Sequence, residues 1–318
     1  MQSATDQRDA AGDREQRLGI LYGLAAYLLW GAFPLFFPLL EPAGADEILA
    51  QRIVWSLVAV AVVLAVTGGL GQLRAVLRSS RQLKLLAAAA VLIALNWGTF
   101  IYAVNSEHVI ESSLGYFITP LVSVAFGVIM FRERLRSWQW VALGVGFCAV
   151  ALLAIDYGRL PWIALVLAFS FGTYGLLKKL AGVGAAESLA IETLVLLVPA
   201  LLYLVVLEVG GGATFAHRGV DHVLLLIAVG PVTALPLLFF SGAVTRVPLS
   251  LMGMLQYLAP VLQFLVGLAI VGEKMPPSRW IGFGLVWLAL VVLSVDGLRA
   301  SRRERVRSLR EPVLEPAG

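Results

Sequence analysis

Residues 120–156 read PLVSVAFGVIMFRERLRSWQWVALGVGFCAVALLAID, and residues 260–296 read PVLQFLVGLAIVGEKMPPSRWIGFGLVWLALVVLSVD. Laid over one another at a shift of 140 positions, Pro120 falls on Pro260, Gly127 on Gly267 and Glu133 on Glu273. Arg134 meets Lys274, Trp140 meets Trp280, Gly144 meets Gly284 and Asp156 meets Asp296. Leucine on leucine between two apolar segments carries no information. Proline, glutamate, tryptophan and glycine matched at one constant shift do. The same shift continues upstream, setting Glu47 on Glu187, Leu49 on Leu189, Ala50 on Ala190, Ala94 on Ala234 and Phe100 on Phe240. In the first helices Trp30-Gly31 matches Phe171-Gly172 at a shift of 141. The chain is therefore a tandem duplication.

The surroundings of this repeat decide its solvent. The chain has 318 residues, of which 59% are hydrophobic and only 14% charged, with a mean hydropathy of +0.88. Soluble domains carry about 25% charged residues, so the apolar surface here must face lipid. Windows of span length predict helices at 18–40, 46–66, 84–104, 112–131, 138–155, 161–177, 188–207, 223–243, 249–271 and 280–298. The longest connection, 67–83, holds a weakly amphipathic stretch around Leu73–Leu77. Residues 1–17 form a polar tail of mixed charge and 299–318 a basic tail with the composition of a disordered segment. The first apolar run ends without a small-residue cleavage site, so it is expected to be retained rather than removed as a signal peptide.

Charge distribution tests this count. With the N-terminus inside, 19 of the 24 Lys and Arg fall in cytoplasmic segments, four (Arg159, Arg218, Lys274, Arg279) fall outside, and Arg52 lies within a span. A missed helix would invert every later loop and spoil that asymmetry. The expected fold is thus all-α and integral to the inner membrane, with ten helices and both termini cytoplasmic. The halves are 18–155 and 156–298, each with five spans. An odd number makes the second half enter from the opposite face, so the repeat is inverted. Such repeats place solute sites near the bilayer midplane, between the halves. The net charge of +4 follows from the topology and requires no nucleic-acid partner.

Few residues offer chemistry. Cys148 is the single cysteine and lies in an apolar run, where it is expected to be a small core residue. His108, His217 and His222 stand in short polar connections without metal-ligand spacing. No metal, no cofactor and no enzymatic activity are expected, and no Gly-rich, Lys-containing nucleotide loop is present. The repeated Pro120 and Pro260 sit in mid-span, where a missing N–H kinks the helix. Ser112, Ser113 and Tyr116 precede the first, Gln256 and Tyr257 the second, in a pattern that suits either a cavity wall or a packing kink. Trp30-Gly31 with Pro34 and Pro38 suits a gate or a tolerated distortion.

Arg52 is the one basic residue well inside a span, roughly 10 Å below the outer surface at 1.5 Å per residue. Intramembrane charge faces protein or a water-filled cavity, so Arg52 either attracts an anionic group or makes a structural pair. Its repeat mate, Glu192, is expected at similar depth from the other face, to carry a proton or cationic group or to serve structure. Asn96, beside Trp97, either contacts solute or bonds another helix. Glu133-Arg134 and Glu273-Lys274 sit in helix-to-helix turns and read better as charged loops than as gate latches.

Several motifs together resemble the RarD-type proteins of the EamA family in the drug/metabolite transporter superfamily. They are Ala25-Ala26-Tyr27 with Trp30-Gly31 and Pro34, then Asp46-Glu47-Ile48-Leu49 and Arg52-Ile53-Val54-Trp55-Ser56. Leu95-Asn96-Trp97-Gly98, Tyr102-Ala103-Val104-Asn105, Ser112-Ser113-Leu114-Gly115-Tyr116 and Leu255-Gln256-Tyr257 with Pro260 complete the set. The resemblance covers about residues 18–298. It implies ten helices in two inverted repeats, alternating access, and export of small metabolites or amphipathic compounds, driven by a proton or solute gradient. The residues themselves nominate Arg52, Asn96, Trp97, Tyr116, Gln256 and Tyr257 for solute contact, and Glu192, Trp30, Pro34, Pro120 and Pro260 for coupling or gating. The cavity wall is expected from spans one, three and four with six, eight and nine. The rivals are a passive channel or facilitator, an importer, and a sensor that moves nothing.

Overall fold

The structure is a computed structural model that describes residues 2–131, 135–244, 246–247 and 249–308. Its described residues are helical almost throughout, and none forms a strand. The helices are α1 (Gln2–Gly31), a short α2 (Phe33–Phe36), α3 (Ala45–Thr67), a connecting α4 (Leu70–Leu77), α5 (Ser80–Asn105), α6 (Val109–Phe131) and α7 (Ser137–Tyr157). They continue as α8 (Trp162–Ala181), α9 (Ala185–Val209), α10 (Val220–Val244), α11 (Leu249–Leu255), α12 (Leu258–Val266) and α13 (Pro277–Ser308). Eight are long and apolar enough to cross a membrane, and a ninth crossing results if α1 and the bent segment after it count as one.

Both interrupted segments break at proline. Beyond Gly31 the chain turns by 43° into Phe33–Leu40, with Pro34 inside α2 and Pro38 inside the 3-10 turn Phe37–Leu40. The expected continuous span 249–271 is instead α11, α12 and a π turn at Gly267–Val271. Pro260 cannot donate to the carbonyl four residues back, which belongs to Gln256, and the helix parts at Gln256–Tyr257. Pro120 is accommodated inside an unbroken α6, where the hydroxyls of Thr119 and Ser123 bond back to the carbonyls of Gly115 and Thr119. The basic tail, expected to be irregular, continues α13 as helix to Ser308, in keeping with its helix-forming Arg, Glu and Ala residues. Residues 309–318, and Glu133-Arg134 with the latch considered there, lie outside the described residues.

The packing is reciprocal. α7 lies along α13, α6 along α8, and α12 along α1. α5 packs on α8 and α9, while α10 packs on α1 and α3. At one end of the α7–α13 pair, Asp156 accepts from Arg279 Nε at 2.8 Å and from Ser278. At the other, Asp296 accepts from Arg136 Nε at 2.6 Å. Two close approaches match as well. A Cβ on Gly31 would meet the Leu262 side chain at 2.7 Å, and one on Gly172 would meet Val122 at 2.9 Å. Glycine at each place lets α1 reach α12, and α8 reach α6, at a distance no larger residue allows.

Phe117, Leu153, Phe264 and Phe283 fill one core, between α6, α7, α12 and α13. Phe33, Phe37, Ile48, Phe100, Ile163 and Leu226 fill another beside it. The outer surface remains apolar: Val66, Phe147, Ile155 and Val209 are each more than three-quarters exposed, as lipid-facing residues of a multi-pass protein should be. Cys148 shares this surface and is exposed, which corrects its expected place in the core. α7 turns only a narrow face toward α13, and Cys148 stands next to Phe147 on its open side.

Candidate functional site

α3 carries Glu47, Gln51 and Arg52 into the protein, all under 5% exposed. Glu47 is used up structurally: its carboxylate accepts the backbone N–H groups of Thr214 (2.9 Å) and Phe215 (3.1 Å), along with the Thr214 hydroxyl (3.0 Å). Gln51 accepts from Trp55 Nε1 at 3.0 Å. Arg52 is different. Its guanidinium carbon lies 4.0 Å from the ring centre of Trp97, 5.4 Å from Phe33 and 5.7 Å from Phe37. Nε and Nη1 are buried and have no hydrogen-bond partner, and one turn along α3 the buried Ser56 hydroxyl has none either.

Near this cation the Asn96 amide is fully engaged. Asn96, beside Trp97 on α5, donates from Nδ2 to the Leu167 carbonyl (3.1 Å) and to Ser170 Oγ (3.0 Å). Its Oδ1 accepts from the Tyr116 hydroxyl at 3.0 Å. One amide thus joins α5, α6 and α8. Tyr116 packs edge-on to Phe100 and Phe171. Pro120, four residues on, removes the usual donor to the Tyr116 carbonyl, so the helix is loosened where this tyrosine stands.

Of the residues nominated from sequence, Arg52, Asn96, Trp97 and Tyr116 therefore gather in one place. Gln256 and Tyr257 do not join them. Gln256 is exposed at the break before α12, and Tyr257 packs at the rim of the core around Phe117 and Phe264. Gln263, about two turns beyond Gln256, is the buried amide of this segment: its Nε2 donates to the Trp30 carbonyl at 3.1 Å. Trp30 itself stacks with Tyr27 and Phe240, and Pro34 is buried in α2. Span two, absent from the expected wall, supplies its central charge. Phe33, Phe37, Ser56, Ser170 and Gln263 went unremarked in the sequence. A run of aromatic residues seven to eleven positions after Ala26 is all that could have pointed to the first two.

Glu192, in α9, is fully buried, and both its oxygens are partnered: Oε1 accepts from Lys178 Nζ at 3.0 Å and Oε2 from the Tyr174 hydroxyl at 3.1 Å. Lys178 also contacts Ser188 Oγ. Lys178, which counts among the loop cations in sequence, is thus turned inward from the last turn of α8. Glu273 is likewise more than a loop charge. Its Oε1 accepts the Ile110 N–H at the start of α6 at 3.0 Å. Burial pushes its carboxyl up to about 7, opposed by that N–H and by Arg279 and reinforced by Glu111. Glu111 in turn holds Arg159 at 2.8 Å and the Ile163 N–H at 3.2 Å.

Glu47, Glu111, Glu192 and Asp296 all have donors within hydrogen-bond distance. Among the described residues Arg52 alone is a buried charged side chain with neither an ion pair nor a hydrogen bond. An unpaired buried ion costs several kcal/mol. Contacts with aromatic faces return about 0.5–2 kcal/mol each.

Comparison with known proteins agrees with this architecture. The EamA-like transporter family matches residues 17–155 and again 160–295. The RarD protein of Streptomyces exfoliatus is 56% identical over 312 residues, covering 96% of this chain and 99% of its own. An uncharacterized transporter of Pseudomonas aeruginosa is 42% identical over 287 residues, covering 90% and 96%. One solved crystal structure shares the fold at a TM-score of 0.58 and 20% identity, covering 86% of this chain and 96% of that one. Carried on an all-helical, lipid-facing scaffold, these matches assign the chain to the EamA-like transporter family as a RarD-type membrane transporter.

Proposed function

We propose that this transporter is a secondary active exporter of small metabolites or amphipathic compounds, working by alternating access between two inverted five-helix halves. The solute docks at Arg52, Trp97, Asn96 and Tyr116. The observation that carries the site is the unpartnered, buried Arg52 guanidinium. Intramembrane charges of this kind mark solute pathways.

Four reciprocal features support the inverted halves. The family match falls once on each half. Asp156 binds the start of α13 while Asp296 binds the residue before α7. Gly31 seats against Leu262, and Gly172 against Val122; both the glycines and their partners are repeat mates. Read as one interrupted crossing, Leu249–Val271 brings the count to ten. The excess of Lys and Arg in alternate loops favours the inner membrane with both termini cytoplasmic. Such a twofold arrangement supplies two packings of the same parts with nearly equal energy, which alternating access requires. A proton is the candidate coupling ion.

The test compares small-molecule contents of medium and cells for a deletion strain, for cells expressing wild type and for cells expressing Arg52→Ala at matched protein levels. A compound that leaves the cell only with wild type is the expected result. Wild-type-dependent accumulation inside the cell would replace export with import. Equal flux through Arg52→Ala would remove the guanidinium from the site.

A further inference from the structure

We infer that the transported solute carries a carboxylate attached to a flat apolar body, and that Arg52 binds the carboxylate. This rests on the reading of Arg52 and its aromatic neighbours as the docking site.

The geometry argues it in three steps. First, the one charged group of the site is an unpartnered donor. Arg52 Nε lies on one edge of the planar fork and Nη1 on the other, and neither meets an oxygen. Ser56, one turn along the same face of α3, has a second unengaged hydroxyl. The nearby amide that could have served as an acceptor, Asn96, spends its oxygen on Tyr116. A cationic solute would meet like charge with nothing to neutralise it.

Second, the unpartnered edges of the guanidinium favour a planar oxyanion. Trp97 lies at stacking distance over the guanidinium, 4.0 Å away, so that face is occupied by a ring. Approach is left to the edges, in the guanidinium plane. Carboxylates fill such an edge with two parallel hydrogen bonds, and the arrangement is specific to arginine. A lysine here would be a point charge without the fork.

Third, what surrounds the fork is aromatic. Phe33 and Phe37 stand within 6 Å of the guanidinium, and Phe100 and Tyr116 continue the wall. The remainder of a solute held at Arg52 meets ring faces rather than polar groups. Flat, apolar bodies pack there best.

The purified full-length protein in zwitterionic-lipid nanodiscs tests this with phenylacetate and its neutral isostere phenylacetamide, together with phenylethylammonium, inorganic phosphate and chloride. Phenylacetate is expected to bind measurably by calorimetry, and phenylacetamide about 10-fold or more weakly, the loss of one charge-assisted contact. Arg52→Gln should abolish the difference between the two, while Arg52→Lys should keep only part of it. The wild-type ligand series stands without any variant, so a misfolded Arg52 protein does not spoil the test. Equal binding of phenylacetamide, preference for phenylethylammonium, phosphate or chloride competing as well as phenylacetate, or no phenylacetate binding up to about 10 mM would each overturn the inference. Cellular flux separates this failure from that of the transport reading. Efflux of only neutral or cationic compounds leaves a transporter with a different solute. Phenylacetate binding without any flux leaves an anion site on a protein that does not export.

Discussion

Arg52 and Glu192 occupy matching positions in the two halves of the sequence, and the protein treats them in opposite ways. Glu192 is enclosed by Lys178, Tyr174 and the Lys178–Ser188 contact, so its charge is neutralised within the fold. Arg52 is enclosed by Trp97, Phe33 and Phe37, which cushion its charge without neutralising it. One position thus carries a partnered charge and the other an unpartnered one. The two matched side chains meet different surroundings.

The sharpest break of this comparison is functional. Arg52→Met is expected to lower solute efflux by about 100-fold, consistent with the loss of two charge-assisted hydrogen bonds, whereas Glu192→Leu combined with Lys178→Met should leave most of it. Efflux rates at matched protein levels check both; a double variant as inactive as Arg52→Met would give Glu192 a part in the cycle. Next in size is stability. Glu192→Leu alone strands the Lys178 ammonium and should cost about 3 kcal/mol, and adding Lys178→Met should restore most of that. Chemical unfolding in nanodiscs reads the cycle. Smaller and opposite in sign, Arg52→Met should stabilise the protein by about 1–2 kcal/mol, because it removes a buried charge with no partner. A clear loss of stability would mean that the aromatic cage outweighs the cost of burial.

The smallest effect concerns pH. Glu273 has its carboxyl raised from 4.5 to about 7 by burial, so the folded protein holds a proton there that the unfolded chain releases. Its contribution is therefore full below about 4.5 and lost as pH rises through about 7. Glu273→Gln, which keeps an oxygen for the Ile110 N–H, should flatten the fall of melting temperature between pH 5 and 8. The difference should be about 1 kcal/mol after allowance for solvent screening. Identical pH profiles would remove Glu273 as the titrating group.

Particular residues show how far the sequence could be read. The breaks at Pro34 and Pro260 stand at prolines visible in the sequence, but Pro120, Pro199, Pro231 and Pro236 lie inside unbroken helices, so a missing N–H permits a break and the packing decides it. The helical assignments of 46–66 and 84–104 fall within α3 and α5, since apolar runs of that length have no other way to satisfy their backbone in lipid. Asn96, Trp97 and Tyr116 could be nominated as a group, but Gln256 could not be told from Gln263. Both are amides near a mid-span proline, and the helix break decides which of them turns inward. Lys178 looked like a loop cation, and Cys148 a core residue, because facing depends on neighbours supplied by distant helices.

The lipid-facing helical class and the family could be read from the chain in order, because hydropathy and motif spacing are properties of the linear sequence. Which buried charges are satisfied depends on the folded arrangement. The donors to Glu47 come from 167 and 168 residues away, and the partner of Asp296 from 160. The unpartnered burial of Arg52 emerges only when α2, α3 and α5 are brought together around it, since a missing partner is a property of the assembled surroundings and not of any one segment.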